Sequence, residues 1–338
     1  MDLSKKSKES EIQSIFLSWY DKNKRDLPWR PNYKKKLPNP FYIFVSEYML
    51  QQTTVGTVKN RFEEFILKWP TIDDLCHISN KSILSFWSGL GYYSRASNLL
   101  KAAKIIKKDH NSKIPNNYEN LILLPGIGDY TAKAILGIAY NQPVMPLDAN
   151  IERILARIYG MELPIIKIKD KLKSKSNYFI SKNKSSDLIQ AFMDYGSIVC
   201  KPRKPNCMDC LIKSKCISYE KNLQHYIPLK LKRKLIKRKK YTRAYIFCNE
   251  KNEILIRRRS SKGMLPSMLE VPNDEWVINK NKLAHDKIVK KIRNKMLFKG
   301  SIEYSFSHFN LKTEVFFLKV KKNIFKDQKW VKKININK

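Results

Sequence analysis

The sequence predicts a mainly α-helical domain followed by a small α+β domain, and three features of its patterning carry that expectation. Up to about residue 225 apolar residues recur at three- and four-residue steps, as in EIQSIFLSWYDK, VKNRFEEFILKW and ASNLLKAAKIIKKDH, which puts them on one face of a helix. Short connections carrying Pro, Gly or Asn separate these segments: LPNP, WSGLGYYS, LPGIG and NQPVMPLDAN. After the basic stretch KLKRKLIKRKK, Lys230–Lys240, the texture changes. TRAYIFCN, EILIRRR and TEVFFLKV are short runs of β-branched and aromatic residues that read as strands, with a helical stretch, KLAHDKIVKKIRNKM, among them. The expected organisation is a helical domain over 1–225, a basic linker over 226–241 and a second domain over 242–338.

A chain of 338 residues has room for two cores, and 43% apolar content fits a globular protein. No apolar run approaches a membrane span, and no apolar stretch follows the early lysines of MDLSKKSKESEIQ. Neither a membrane nor a signal peptide is expected, which leaves the cytoplasm. The net charge of +37 suggests a polyanionic partner, phosphate above all. An AT-rich genome also writes chains rich in Lys, Ile and Asn, so charge alone reads only as compatible with nucleic acid.

Glu47 is the sole charged residue between Phe41 and Val58, inside a segment that Asn39 and Pro40 mark as a helix start. A carboxyl among aromatic and aliphatic neighbours is poorly solvated, its pKa rises, and a carboxyl kept protonated near neutrality suits a general acid. A helix-flank glutamate reaching solvent or an arginine is the competing account. In LPGIGDY, Leu124–Tyr130, Gly126 and Gly128 make a tight turn that exposes backbone N–H groups at a helix N-terminus, a geometry that accepts a phosphate oxygen. Many helix pairs use such a turn. Asp148 stands where a proline-bounded loop enters a helix, so it is an ordinary N-cap or a carboxylate fixed to face a developing cation.

Four of the six cysteines, Cys200, Cys207, Cys210 and Cys216, fall within 200–216 in a C-x6-C-x2-C-x5-C pattern. A tight cluster of this kind reads first as a metal site. Zinc ribbons usually show two C-x2-C pairs, and one is present here, so the spacing favours a [4Fe–4S] cubane over zinc. Lys201, Arg203, Lys204, Lys213 and Lys215 among them make a loop suited to a phosphate backbone. Cys76 and Cys248 read as small core residues.

Together these features resemble the endonuclease III superfamily, and within it the MutY-type adenine DNA glycosylases. LPWR at Leu27–Arg30, SEYMLQQT at Ser46–Thr53, GLGYYSRA at Gly89–Ala96, LPGIG, LDANIER and the cysteine loop come in the family's order. Tyr130 stands where the bifunctional endonuclease III branch carries its Schiff-base lysine, with Lys133 a turn further on. FSHF, Phe306–Phe309, and RRRSSKGMLPSMLEVP, Arg257–Pro272, resemble a NUDIX-like recognition domain without the acidic NUDIX hydrolase box, so no pyrophosphatase activity is expected.

The resemblance implies a helix-hairpin-helix glycosylase domain of two helical subdomains with a DNA cleft between them, bearing a [4Fe–4S] loop. It implies excision of adenine opposite 8-oxoguanine or guanine in duplex DNA, by a monomeric, nucleoid-associated bacterial enzyme. Glu47 would protonate adenine, Asp148 would stabilise the sugar cation, and Tyr130 and Asn150 would position them. Gln51 and Tyr92 would wedge the duplex, and Ser307 and His308 would inspect the oxidised guanine. A pyrimidine-lesion or thymine-mismatch glycosylase of the same superfamily is the alternative. The chain departs from the family at Pro266-Ser267, where a glycine pair is usual, at Glu152, and in stopping soon after Trp330.

Overall fold

Helix α1 (Lys8–Asn23) starts where the Ser7 side chain accepts the Ser10 N–H at 3.2 Å, and Ile12, Phe16, Trp19 and Tyr20 form its buried face. The main packing partner of this face is not the helix that follows next in the chain. α2 (Pro40–Leu50), α3 (Val55–Lys68), α4 (Ile72–His77), α5 (Asn80–Phe86), α6 (Ser94–His110), α7 (Tyr118–Ile122) and α8 (Asp129–Tyr140) pack among themselves. α1 instead meets α11 (Ser185–Ile198), which also holds α9 (Ala149–Ile158); α10 (Ile165–Asn177) and α12 (Ile217–Glu220) complete this second group. Two helical halves result, joined where α8 packs on α11.

The computed structural model describes residues 7–30, 37–229, 237–260, 263–265, 268–283, 289, 292–306, 308–321 and 329–332. The chain falls into two compact units, Met1–Leu231 and Lys232–Lys338, each with its own apolar core. Among the described residues no helix is long and apolar enough to cross a membrane.

The core of the first unit is aromatic where α1 meets α11: Phe16 lies 4.5 Å from Phe192 and 4.6 Å from Tyr195, centroid to centroid. Asp194 of α11, fully buried, accepts Arg25 at 2.6 Å and the forked guanidinium of Arg30 at 2.7 and 3.0 Å. The arginine of LPWR is thereby a structural anchor for the loop leaving α1. Cys76 belongs to this core.

The second unit is a mixed sheet. β1 (Arg238–Cys248) runs parallel to β5 (Phe309–Lys319), paired from Arg238↔Phe309 to Cys248↔Lys319. β2 (Glu253–Arg258), β3 (Leu269–Glu270), β4 (Leu297–Ser305) and β6 (Lys329–Lys332) give the order β3-β2-β1-β5-β4, with β6 also on β2. Tyr245, Phe247, Leu255, Val289 and Val320 form its small core.

The strands read from the sequence are β1, β2 and β5. β4 carried no signal because its side chains are exposed on both faces and a bulge at Gly300 (φ 128°) interrupts its register, so no alternation marks it. Of the expected helical stretch 282–296, residues 284–288, 290 and 291 lie outside the described residues, and Arg293–Lys295 is a 3-10 turn. Pro266, Ser267 and Ser307 also lie outside them. Cys248 corrects one expectation, being half-buried at the end of β1 and outside the core.

The expected linker over 226–241 is shorter than the sequence suggested. Ile227, 1% exposed, is part of the first core, and Arg157 Nε donates to its carbonyl at 2.8 Å. At the other end Arg238–Tyr241 already pair with β5, because backbone pairing is indifferent to whether the side chains it carries are basic.

Candidate active site

Helix α2 begins as the sequence predicts, with the Asn39 side chain accepting the Phe41 N–H at 2.9 Å and Pro40 in its first turn. Its residues Phe41 and Ile43–Met49 are all buried, so Glu47, on the inner side of the helix, keeps only 7% of its surface. Loss of solvent pushes the Glu47 carboxyl up to about 8, the nearby negative charge of Asp148 adds to the rise, and a hydrogen bond from the Tyr130 hydroxyl opposes it. At neutral pH this group is mostly protonated.

Asp148 reaches the same place from the other helical half. It is the N-cap of α9: Oδ1 accepts the N–H groups of Asn150 at 2.9 Å and Ile151 at 2.7 Å, and Oδ2 accepts Asn150 Nδ2 at 2.8 Å. Burial raises Asp148 above the ordinary carboxylate value, and these three donors hold it back. The N-cap reading of Asp148 holds, and the cap fixes a carboxylate whose charge is felt at Glu47. Tyr130, in the first turn of α8, completes the trio between the halves. The structure brings Glu47, Asp148, Tyr130 and Asn150 together.

A set of bonds not legible in the sequence runs behind Asp148. Asn150 Oδ1 accepts Arg153 Nη2 at 2.9 Å, and the same guanidinium donates to the Gly196 carbonyl at 2.7 Å and the Cys200 carbonyl at 2.8 Å. Gly196 leaves room for this approach; a Cβ there would lie 2.7 Å from Asn150 Cβ.

The hairpin is closed against α2. Gly126, at φ 86°, adopts a left-handed backbone, and an added Cβ would meet Tyr48 Cε1 at 2.9 Å. Tyr48 Oη donates to the Pro125 carbonyl, and Gln51 Nε2 donates to the Gly126 carbonyl at 3.1 Å. Gly128 is the N-cap of α8, leaving first-turn N–H groups of that helix without a side-chain cap. Lys133 is held by Asp129 at 2.8 Å, which also accepts the Tyr118 hydroxyl at 3.0 Å.

Arg95, from α6, is a residue that sequence reasoning missed, although it stands inside GLGYYSRA. Only 6% exposed, it donates to the carbonyls of Tyr48 (3.1 Å), Met49 (2.8 Å), Gln51, Leu90 (3.0 Å) and Gly91 (3.1 Å). It thus gathers the C-terminus of α2, the Gln51 loop and the loop ending at Tyr92, whose ring it underlies at 5.5 Å. Tyr92 is 47% exposed at φ 47°, a strained backbone for a tyrosine. Gln51 and Tyr92 are thus both held by Arg95. His308 belongs to the second unit and is exposed.

Cys200, Cys207, Cys210 and Cys216 line a single cavity with Ile154, Arg157, Tyr195's neighbour Val199 and Gln224. Among the described residues no three Cys, His, Asp or Glu side chains converge as one ion would require. Four thiols lining one cavity fit a group that takes one thiolate at each of four metal atoms. The donors suit an anionic group: Arg157 Nη1 lies 3.2 Å from Cys200 Sγ, Arg157 Nη2 is buried without a partner, and the Tyr195 hydroxyl lies 3.3 Å from Cys210 Sγ. Beside the loop, Glu152, Arg203, Lys204 and His225 line an open groove with the N-terminus of α10.

Residues 45–177 match the model of the HhH-GPD superfamily base excision DNA repair protein, and residues 243–338 match the NUDIX domain. The chain is 37% identical over 311 residues to the adenine DNA glycosylase of Buchnera aphidicola subsp. Schizaphis graminum, covering 89% of this chain and 85% of that one. It is 38% identical to the Mus musculus adenine DNA glycosylase, over 62% of this chain and 42% of the relative. Among solved structures, a thermostable thymine-DNA glycosylase superposes with a TM-score of 0.56 at 27% identity, over 63% of this chain and 97% of the other. A trapped endonuclease III–DNA covalent intermediate superposes with a TM-score of 0.53 at 19% identity, over 65% of this chain and all 100% of that one, a likeness of fold.

Proposed function

This chain belongs to the adenine DNA glycosylase family, and from that membership we propose that it removes adenine mispaired with 8-oxoguanine or guanine in duplex DNA. It is a DNA N-glycosylase of base excision repair. The observation that carries the mechanism is the pair of carboxyl groups with unequal surroundings, Glu47 dry and Asp148 held by three donors. Environments that push two carboxyl groups apart assign one as acid and the other as anion.

The adenine is flipped out of the stack, since its glycosidic bond is out of reach inside the duplex. Protonated Glu47 gives its proton to N7 of the base. The C1′–N9 bond breaks, its electron pair leaves with the base, and the Asp148 carboxylate faces the positive charge developing on the sugar. Water adds its oxygen to C1′, a proton from that water restores the Glu47 acid, and the products are free adenine and an abasic site. Tyr130 and Asn150 orient the two carboxyl groups. Gln51 and Tyr92 enter the duplex at the flipped base, and the uncapped start of α8 after Gly128 receives a backbone phosphate.

Ser307 and His308 meet the base opposite. Cys200, Cys207, Cys210 and Cys216 hold a [4Fe–4S] cluster, supported by the cavity they share and by the unpartnered Arg157 nitrogen. Bound there, such a cluster would tie the loop through iron–thiolate bonds, and Arg203 and Lys204 on that loop would meet phosphate.

Incubation with duplexes carrying adenine opposite 8-oxoguanine, adenine opposite guanine, thymine opposite guanine or an oxidised pyrimidine, followed by alkali, tests the reading. Strand breaks confined to the two adenine duplexes are expected. Cleavage at the thymine or pyrimidine lesion with adenine left intact would overturn it.

A further inference from the structure

The core of the second unit gathers around Phe247 and Leu255, and a separate aromatic group stands outside it. Phe306 and Phe309 stack at 4.8 Å with their rings 25° apart, and Tyr304 meets Phe306 edge-on at 4.8 Å. The Phe306 N–H donates to the Phe309 carbonyl at 2.9 Å, so the chain turns back between them and His308 is exposed at the tip. Trp276 lies 5.6 Å from Phe306 and 5.9 Å from Phe309.

Trp276 is itself fixed from two sides. Its neighbour Val277 exchanges backbone bonds of 2.8 and 3.1 Å with Tyr241 of β1, and the Arg259 guanidinium sits 4.9 Å over its ring. Arg259 in turn donates to the Met264 carbonyl at 3.0 Å and to Glu270. A partly buried tryptophan held this firmly, outside the core, has one evident consequence: it decides where the phenylalanine pair rests. Aromatic faces and edges are directional, so the wall sets position as well as burial.

We propose that Trp276 is a positioning residue for opposite-base discrimination. It forms the wall against which Phe306 and Phe309 stack, and so fixes where the turn between them offers its polar groups to the base opposite the adenine. This inference rests on the reading that the Phe306–Phe309 turn inspects that base.

The test compares Trp276→Ala, Trp276→Leu, Trp276→Phe and Ser307→Ala in the full chain, by single-turnover excision of adenine opposite 8-oxoguanine and opposite guanine. The readout is the ratio of the two rates, which a loss of folded protein lowers equally in numerator and denominator. Trp276→Ala, Trp276→Leu and Ser307→Ala should each reduce that ratio about fivefold or more, the lower end of what one good base contact discriminates. Trp276→Phe, which keeps a ring, should hold most of it. Trp276→Leu serves where the alanine variant does not fold.

If Ser307→Ala loses the preference while Trp276→Leu keeps it, the wall is not needed and the proposal falls with the reading intact. A Trp276→Leu variant slowed equally on both duplexes also overturns it. Should all the variants keep the preference, the turn does not inspect the base and the underlying reading falls too.

Discussion

Asn150 holds Asp148 with two bonds at once: its backbone N–H donates to Oδ1 at 2.9 Å and its side-chain amide to Oδ2 at 2.8 Å. Its own oxygen is committed to Arg153, which spans to Gly196 and Cys200. The carboxylate facing Glu47 is therefore oriented by a residue that is oriented in turn.

Asn150→Ala should leave the cap intact through the two backbone donors and free one carboxylate oxygen. Misplacing a reacting group by about 1 Å costs about a hundredfold in rate, and a loss of about ten- to a hundredfold in single-turnover excision is expected here. Affinity for the duplex should change little. A variant with wild-type excision would show that the backbone donors alone fix Asp148.

Glu47 acts as an acid while it holds its proton, so excision should fall as pH rises through about 8. In Glu47→Gln the fall should vanish, and the rate should drop about two to four orders of magnitude with DNA binding retained. The same group affects stability. Its folded pKa is raised from 4.5 to about 8, so the folded state binds the proton more tightly, and stability is lost progressively as pH rises from 4.5 through 8. Melting curves should show Glu47→Gln more stable than the parent at pH 8 and equal to it near pH 4.

Excision should leave an intact abasic strand that breaks only with alkali or heat. A Schiff base needs a free amine at C1′; Tyr130 offers a phenol, and Lys133 is engaged by Asp129 at 2.8 Å. Borohydride should trap little protein–DNA adduct. Efficient trapping that disappears in Lys133→Ala would show a lyase.

Purified protein should be brown and carry four irons per chain, with Cys210→Ser losing iron and melting earlier. The measurement is metal analysis after anaerobic purification. Stoichiometric zinc without iron would reject the cluster.

A fragment ending at Leu229 should keep excision and lose much of the preference for 8-oxoguanine over guanine. One ending at His225 should melt earlier, because it discards Ile227 from the core and the carbonyl that Arg157 Nε reaches at 2.8 Å. Equal melting of the two fragments would show that this contact contributes nothing.

The sequence by itself determined α1, α2, α3 and α6, whose apolar spacing or cap is local, and the strands β1, β2 and β5, whose β-branched runs are local too. It also isolated Glu47, because a lone carboxyl in an apolar helix is visible without a fold. β4 escaped because an edge strand exposed on both faces has no burial pattern to write into its residues. Only the tertiary structure decided the rest. Asp148 read first as an ordinary cap, and only the packing of α9 brings that cap close to Glu47. Arg95 and Arg153 carried no signal, since a buried guanidinium is paired with carbonyls that any residue supplies and no side-chain pattern records. Trp276 and the Phe306–Phe309 pair are far apart in the chain, and the backbone exchange between Tyr241 and Val277 is what carries the tryptophan to that turn.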